Sequence, residues 1–322
     1  MSRLKRIAAS FDTWQRRHAA GGLPVAVGKK FGDDQASHLA ALIAYYAFFS
    51  LFPLLLAFVS ILGFVLQDNA SLRDDAINTA LGRIPVIGRQ LRDEVHPLAG
   101  NGVALAIGLI GALWAGLAVT LAMQRAFAEV WDVARVDRPS GAMSRLRGLA
   151  VLVILGVTLV ASSALAGLAV GGNIDPFAGR FGAVVLSFLV DVVIFLAVLG
   201  LLTPRPHELR DLLPGVALTA VGWLVLESAG TWYINRTVSG ASDTYGTFAL
   251  VIGLLSWFWL GAQLLLLAAE VNVVLSWRLW PRSLTGDLEP ADRLALRRLA
   301  AAERVDRREQ ISVTFGEPPD DD

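Results

Sequence analysis

The sequence contains no cysteine, and this absence excludes several kinds of chemistry. A chain of 322 residues without a thiol forms no disulfide bond, holds no thiolate-bound metal and uses no cysteine nucleophile. Its four histidines, His18, His38, His96 and His207, are scattered without the spacing of a metal site. The glycine and serine patterns of phosphate-binding loops and serine hydrolases are also missing. We therefore expect no catalytic residue, no metal, no cofactor and no enzymatic activity.

Charged residues are scarce as well. They make up 17% of the chain and hydrophobic residues 55%, whereas soluble domains carry about 25% charged residues. A soluble fold of this length would need more polar side chains to cover its surface. Acidic and basic residues balance at 28 each, so no positive excess points to nucleic acid as a partner. The composition predicts an integral membrane protein.

Long stretches without charge divide the chain into segments that could cross a membrane. About 20 mostly apolar helical residues are needed to cross the hydrocarbon core of a bilayer. Six stretches meet this requirement, two of them with a single carboxylate inside. The predicted fold is therefore all-α, a polytopic bundle of six transmembrane helices at about 39–66, 102–123, 148–170, 181–202, 212–233 and 245–276.

The rest of the chain surrounds this transmembrane domain, 39–277. Residues 1–38 form a basic N-terminal arm in which no apolar run follows the first basic residues, so we expect no cleaved signal peptide. Residues 278–322 are predicted to contain a basic helix over Pro290–Arg308 and a disordered acidic tail.

Basic residues are distributed unevenly among the loops. All but six of the 28 lysines and arginines lie in the N-terminal arm, the second and fourth loops and the C-terminal region. Because cytoplasmic loops are enriched in these residues, both termini are predicted to be cytoplasmic. The first outer loop, 67–101, has apolar residues at helical spacing. It predicts amphipathic helices on the outer membrane surface or capping the bundle, with a solvated loop as the alternative.

Two carboxylates interrupt otherwise apolar spans. Asp191 lies at the centre of the fourth span, and Glu227 lies in the outer half of the fifth, about 6 Å past its midpoint. An ionisable group in hydrocarbon is costly unless it faces protein or water. The two side chains are therefore candidates for one intramembrane polar cavity open to the outside. Alternatively, each accepts hydrogen bonds from a neighbouring helix.

A second polar group is expected near the cytoplasmic ends of two spans. Arg125 and Glu129 end the second span, and Glu270 and Asn272 end the sixth at the same depth. An Arg125–Glu270 ion pair would neutralise both charges at the edge of the bilayer. These four residues are a candidate polar lock, with contact to a substrate as the alternative. In the first span, Pro53 predicts a helix kink, because proline removes a backbone donor and collides with the preceding turn.

Three sequence motifs resemble the YihY/BrkB family of bacterial inner-membrane proteins. The first is the run AALIAYYAFFSLFPL at 40–54, and the second is the Leu-Pro-Gly that opens the fifth span at 213–215. The third is distributed along the sixth span as Tyr-Gly-Thr at 245–247, Leu-Leu-Ser-Trp at 254–257 and Ala-Ala-Glu-Val-Asn at 268–272. Members often have Gly-Ala-Glu where this chain has Ala-Ala-Glu, which leaves Glu270 in place.

The resemblance implies a multi-pass protein of the bacterial inner membrane, embedded in membrane lipids. Members carry labels that include a serum-resistance virulence factor, a transporter of lipids or lipopolysaccharide precursors, and ribonuclease BN. We expect a transporter or flippase-like protein for an amphipathic envelope molecule, a lipid or lipid-linked precursor. The alternative is a non-catalytic scaffold in envelope assembly or serum resistance, with envelope-assembly proteins or further copies of itself as partners. Ribonuclease activity is disfavoured, because the cytoplasmic segments lack a cluster of metal ligands or a base.

Overall fold

The computed structural model describes residues 3–65, 102–170, 176–204, 208–233, 239–285 and 287–316. Within these residues all regular structure is helical, which confirms the all-α prediction. A short 3₁₀-helix at Arg135–Asp137 accompanies the α-helices. The α-helices are α1 (Arg3–Arg17), α2 (Ala19–Asp33), α3 (Ala36–Val65), α4 (Gly102–Val130), α5 (Gly141–Val170), α6 (Pro176–Leu202), α7 (Leu209–Tyr233), α8 (Ser239–Trp277) and α9 (Pro290–Ala302).

Five of these helices are long and apolar enough to cross a membrane. The corresponding segments are Ala36–Ala57, Leu105–Val130, Gly141–Thr158, Leu209–Gly230 and Val251–Trp277. In α6 the apolar part within the described residues is the shorter segment Phe188–Leu202. The helix as a whole has 27 residues, enough for about 40 Å at 1.5 Å per residue. The polytopic helical bundle is confirmed, while the side of the membrane on which the termini lie stays a prediction.

Several helices extend beyond the spans predicted from charge-free sequence. α4 continues from the predicted limit near Met123 to Val130, and α5 begins at Gly141 rather than near Gly148. Charged residues mark where a helix leaves hydrocarbon, but they do not end it, since arginine and glutamate are good helix formers. The C-terminal helix differs in the other direction, because α9 ends at Ala302 instead of Arg308.

The N-terminal arm is folded into α1 and α2, which pack against each other. α1 buries its polar residues Asp12 and Gln15, whereas Phe11 and Trp14 remain 46% and 49% exposed. The indole of Trp14 covers Gly21 of α2, where a Cβ would lie 2.5 Å from the ring. The predicted amphipathic helices of 67–101 lie outside the described residues, as does the tail from 317 onwards.

The chain divides into two compact units. The first comprises Met1–Ala40, Met123–Val221 and Gln263–Asp322, and the second comprises Ala41–Ala122 and Gly222–Ala262. In the second unit α3 and α4 approach closely, because a Cβ on Gly108 would lie 2.7 Å from the backbone nitrogen of Ala57. The first unit contains both polar networks described next.

Candidate functional site

Helix ends position the polar side chains of the first unit. α2 and α4 are followed by residues in the left-handed conformation, Gln35 at φ 52° and Asp132 at φ 45°. After α4, the Val133 N–H donates to the Ala128 carbonyl at 2.8 Å, which is the hydrogen bond of a Schellman motif. After α2, the N–H of Asp34 donates to the Lys30 carbonyl at 3.0 Å. These turns place two aspartates at the carboxyl ends of helices.

A buried lysine lies between these aspartates. The Lys30 ammonium donates hydrogen bonds to the Asp34 carboxylate, to the Val130 carbonyl oxygen at 3.1 Å and to Asp132 Oδ1 at 3.4 Å. Only 2% of Lys30 is exposed, and the aspartate side chains are 1% exposed. Removing such charges from water is costly unless opposite charges and hydrogen bonds compensate. The ion pairs with both aspartates supply that compensation.

Glu270 of α8 completes this group, which we call the Lys30 cluster and which consists of Lys30, Asp34, Asp132 and Glu270. Glu270 is fully buried. Among the described residues no N–H or hydroxyl group donates a hydrogen bond to either of its carboxylate oxygens. Among the acids of the cluster Asp34 interacts with it most strongly, and Asp34 Oδ1 is likewise buried without a hydrogen-bond donor among the described residues. Two carboxyl groups can form a hydrogen bond with each other only when one of them carries a proton.

The protonation of the cluster reflects competition between burial and attraction. Burial lowers the pKa of Lys30, but the negative charges of Glu270, Asp34 and Asp132 outweigh this effect and raise it overall. Burial raises the pKa of Asp34, and the attraction of Lys30 reverses only part of that rise. Burial likewise raises the pKa of Asp132 to about 6 in spite of Lys30. The lysine stays charged while the carboxyl groups compete for protons.

Asn272, two residues after Glu270 on α8, binds the backbone of α7. Its Oδ1 accepts the N–H of Gly215 at 2.7 Å. A Cβ on Gly215 would lie 2.5 Å from the Ala268 carbonyl oxygen and 2.4 Å from Asn272 Nδ2. The glycine therefore lets the two helices touch at this point. Pro214, just before it, lacks a backbone N–H and disturbs the preceding turn.

The structure divides the predicted polar lock. Glu270 and Asn272 are both buried on α8, whereas Arg125 is exposed on α4. Glu129 forms an ion pair with Arg138 at 3.0 Å. No ion pair joins Arg125 to Glu270 among the described residues. The cation that attracts Glu270 most strongly is Lys30. Lys30 comes from the N-terminal arm, where the sequence analysis placed no site residue.

The two intramembrane carboxylates lie in different units. Asp191 is half-buried in α6 of the first unit. Glu227 is exposed in the part of α7 that belongs to the second unit, where the Trp223 indole N–H donates to its Oε1 at 2.8 Å. A shared cavity stays a prediction. Pro53 lies inside α3, which continues past it to Val65, and the predicted kink is likewise untested.

A second polar network, the terminal clasp, connects the N-terminal helices to the segment after α8. Its charged members are Asp12, Arg16, Lys29, Arg282 and Asp292. Asp292 is fully buried and its Oδ1 accepts hydrogen bonds from Lys29 at 2.8 Å and from Arg282 Nε at 2.9 Å. Burial raises the pKa of Asp292, but these donors and the Ser283 N–H lower it overall.

The other end of the clasp is centred on Asp12. Its carboxylate pairs with Arg16 and accepts the backbone N–H groups of Leu284 at 2.9 Å and Thr285 at 3.3 Å. Burial opposes ionisation of Asp12, yet these hydrogen bonds bring its pKa well below the usual value. The clasp therefore holds its carboxylates ionised, unlike the Lys30 cluster.

Within the described ranges, no group of three or more histidines or acidic residues is arranged to hold a metal ion.

Membrane-length apolar helices with charged groups buried at their ends define a polytopic helical membrane protein. Comparison with known proteins gives the family. The chain belongs to the family described as Virulence factor BrkB, which matches residues 27–291. This range includes every member of the Lys30 cluster and the Gly215–Asn272 contact.

Curated relatives agree with this assignment. The chain is 22% identical over 286 residues to the "Inner membrane protein YhjD" of Escherichia coli, covering 83% of this chain and 84% of the relative. It is 25% identical over 253 residues to the "Putative ribonuclease-like protein YfkH" of Bacillus subtilis, covering 73% and 88%. A "UPF0761 membrane protein" of Alkalilimnicola ehrlichii is 25% identical, covering 91% and 67%. No solved structure matches the chain. The protein is an integral inner membrane protein of the BrkB family.

Proposed function

We propose that this protein is a non-catalytic transporter that moves an amphipathic envelope molecule, a lipid or lipid-linked precursor, across the bacterial inner membrane. Both termini face the cytoplasm in this proposal. The observation that carries it is the exposed carboxylate of Glu227 inside an apolar, membrane-length helix. Such a helix surface has both polar and apolar parts, as the substrate does.

The first feature that supports this proposal is the depth of Glu227 along α7. It lies six residues before the end of α7 at Tyr233, or about 9 Å along the helix axis. A carboxylate at that depth needs water or a polar partner, because hydrocarbon does not solvate it. The Trp223 indole N–H satisfies one acceptor site and holds the side chain at the helix surface. In this proposal the remaining acceptor sites bind water or a polar head group.

The residues around Glu227 supply the apolar part of the surface. Val221 and Val225 are 53% and 63% exposed on the same helix, and Ser228 is also exposed. An acyl chain could pack along the valines while its head group contacts Glu227. Asp191, half-buried near the centre of α6, is a second polar group at membrane depth. These features favour passage of a molecule that has a polar head and an apolar tail.

The test is lipid translocation in proteoliposomes that contain the purified full chain and fluorescent phospholipids. We expect head groups to become accessible to a membrane-impermeant quencher faster than in protein-free vesicles. The variant Glu227→Gln should slow this exchange, and the double variant Asp191→Asn/Glu227→Gln should slow it further. Ser228→Ala is the matched control, because it changes an exposed neighbour without removing a charge.

The outcomes separate transport from its mechanism. Wild-type exchange that equals the protein-free rate would exclude translocation of the phospholipids tested and favour the scaffold alternative. Rapid exchange that persists unchanged in the double variant would remove both carboxylates from the mechanism.

A further inference from the structure

The Lys30 cluster contains more acidic than basic groups, and its members are largely buried. Lys30 and Asp34 come from α2 and its end, Asp132 follows α4, and Glu270 comes from α8. Arg298 of α9 adds a positive charge that attracts Asp132 and lies 3.9 Å from the centre of the Trp277 ring. Two cations thus face three carboxyl groups. One negative charge remains uncompensated if all of them are ionised.

Nearby charged groups do not correct this imbalance. Asp33 lies next to Asp34 in the chain, but it forms its own ion pair with Arg282 at 2.8 Å. From α8, Asn272 contributes a neutral amide whose oxygen is occupied by the Gly215 N–H. Asp33, Arg282 and Asn272 therefore add no net positive charge next to the cluster.

The surroundings of Glu270 indicate where a compensating proton could bind. This side chain is fully buried, and among the described residues no donor contacts its oxygens. The acid that interacts with it most strongly is Asp34, whose Oδ1 is also buried without a donor among the described residues. Two carboxylates facing each other repel, whereas one carboxylic acid and one carboxylate form a strong, charge-assisted hydrogen bond. A single proton therefore satisfies both the geometry and the charge balance.

We infer that Asp34 and Glu270 form a proton-binding site, in which the two carboxyl groups share one proton beside the Lys30 ammonium group. The proton enters from bulk water and leaves to it, with no bond made or broken other than the O–H bond. Lys30 keeps the second oxygen of Asp34 in an ion pair and fixes the direction of the shared hydrogen bond. The site stands whether or not the protein transports lipid, because it involves neither Glu227 nor Asp191.

Infrared spectroscopy of the full chain in an ester-free detergent at neutral pH tests this directly. Wild-type protein should show the carbonyl stretch of a protonated carboxylic acid, with a small downshift after exchange into D₂O. The variant Glu270→Gln should lose this band, because its amide donates to Asp34 without a titratable proton. Glu303→Gln, which removes an exposed carboxylate on the segment after α9, should keep it. A folded Asp34→Asn variant provides a second substitution in the pair and should change the band position or amplitude.

Two results would overturn the inference. One is a wild-type spectrum without a protonated acid at neutral pH, a measurement that does not depend on any variant folding. The other is a band that is identical in wild type, Glu270→Gln and Asp34→Asn.

Discussion

The side-chain oxygen of Asn272 accepts the backbone N–H of Gly215 at 2.7 Å and joins α8 to α7. The two residues belong to two of the motifs that carry the family resemblance, Leu-Pro-Gly at 213–215 and Ala-Ala-Glu-Val-Asn at 268–272. Gly215 and Asn272, 57 residues apart in sequence, thus bring the two motifs into contact. Glu270 lies two residues before Asn272, so the same contact fixes the helix that carries the buried acid.

Substitution of Gly215 by alanine should destabilise the protein. The new methyl group would meet the Ala268 carbonyl oxygen at 2.5 Å, and a backbone oxygen cannot move aside as a flexible side chain can. We expect a loss of about 1–3 kcal/mol, as for other overpacked sites, measured as a lower thermal midpoint in detergent. The control is Gly200→Ala, whose Cβ would meet only a Leu212 methyl group at 3.7 Å. Equal midpoints for the two variants would contradict the close contact.

Removal of the buried cation should have a larger effect. Lys30→Met keeps the length of the side chain but leaves the carboxyl groups of the cluster without their ammonium partner. Breaking a buried ion pair from one side costs about 3–5 kcal/mol. The defect should diminish at acidic pH, because the orphaned acids can then take up protons. Thermal unfolding at two pH values measures both effects.

The matched control for this variant is Arg17→Met, which removes an exposed cation from the same N-terminal arm. It should leave the thermal midpoint nearly unchanged, as surface substitutions usually do. A Lys30→Met/Asp34→Asn double variant should recover part of the lost stability. If Lys30→Met unfolded at the wild-type temperature at neutral pH, the lysine would not be paired as the structure shows.

The sequence predicted the transmembrane helices better than it predicted the cluster. Uncharged runs are a direct consequence of hydrocarbon burial, so the spans could be found without tertiary information. Glu270 and Asn272 were found as polar residues in an apolar run. Lys30 and Asp34 could not be found in that way, because they lie in a polar segment where exposure is the ordinary expectation. Only the packing of the arm against α4 and α8 shows that they are buried.

The choice of Arg125 as the partner of Glu270 illustrates the same limit. Depth along a helix can be read from sequence, but the direction of a side chain depends on how the helix is rotated against its neighbours. Successive residues differ by about 100° around the axis. On α4 the neighbours Ala126 and Phe127 are 1% and 0% exposed, whereas Arg125 lies on the exposed face of the helix. The i, i+4 spacing of Lys30 and Asp34 indicates that these two residues can pair with each other, but not that they lie beside Glu270.

The left-handed residue after α2 offers a stabilising substitution. Gln35 has φ 52° and an exposed side chain, so its Cβ adds strain without adding contacts. Gln35→Gly should raise the free energy of unfolding by up to about 1 kcal/mol, because relief of the strain exceeds the greater entropy of the unfolded glycine. Gln35→Ala, which retains a Cβ, should give no such gain. A thermal midpoint that rises equally in both variants would exclude backbone strain as the cause.

Asp132 should make the protein less stable as the pH rises. Its pKa is raised from 3.8 to about 6, mainly by burial, so the folded protein binds a proton that the unfolded chain releases. The stability gained from this proton is complete below pH 3.8 and is lost as the pH rises through about 6. The loss amounts to about 3 kcal/mol above that range. Asp132→Asn should lack this loss, since asparagine is neutral and tolerates the left-handed conformation.

The measurement for Asp132 is the difference in unfolding free energy between variant and wild type at about pH 4 and pH 8. We expect the variant to gain relative to wild type at the higher pH. Asp137→Asn is the control, because the side chain of Asp137 is 47% exposed and pairs with the partly exposed Arg304. A pH profile for Asp132→Asn parallel to that of wild type would contradict the burial of an acid at this position.

Asp292 should behave in the opposite way, because its donors outweigh its burial and lower its pKa. Its contribution to stability is present above the unfolded value of 3.8 and is lost as the pH falls below that value. Asp292→Asn should therefore be destabilised by about 3–5 kcal/mol at neutral pH, since Lys29 and Arg282 lose a buried anion. The deficit relative to wild type should shrink as acid protonates Asp292 in the wild-type protein. Asp287→Asn, at an exposed acid of the same segment, should show neither change. A stability deficit in Asp292→Asn that grew in acid would show that the clasp does not hold this carboxylate ionised.

The pKa of Asp132 is raised and that of Asp292 is lowered, so their contributions to stability change with pH in opposite directions. Unfolding curves at acidic and neutral pH therefore distinguish the Lys30 cluster from the terminal clasp.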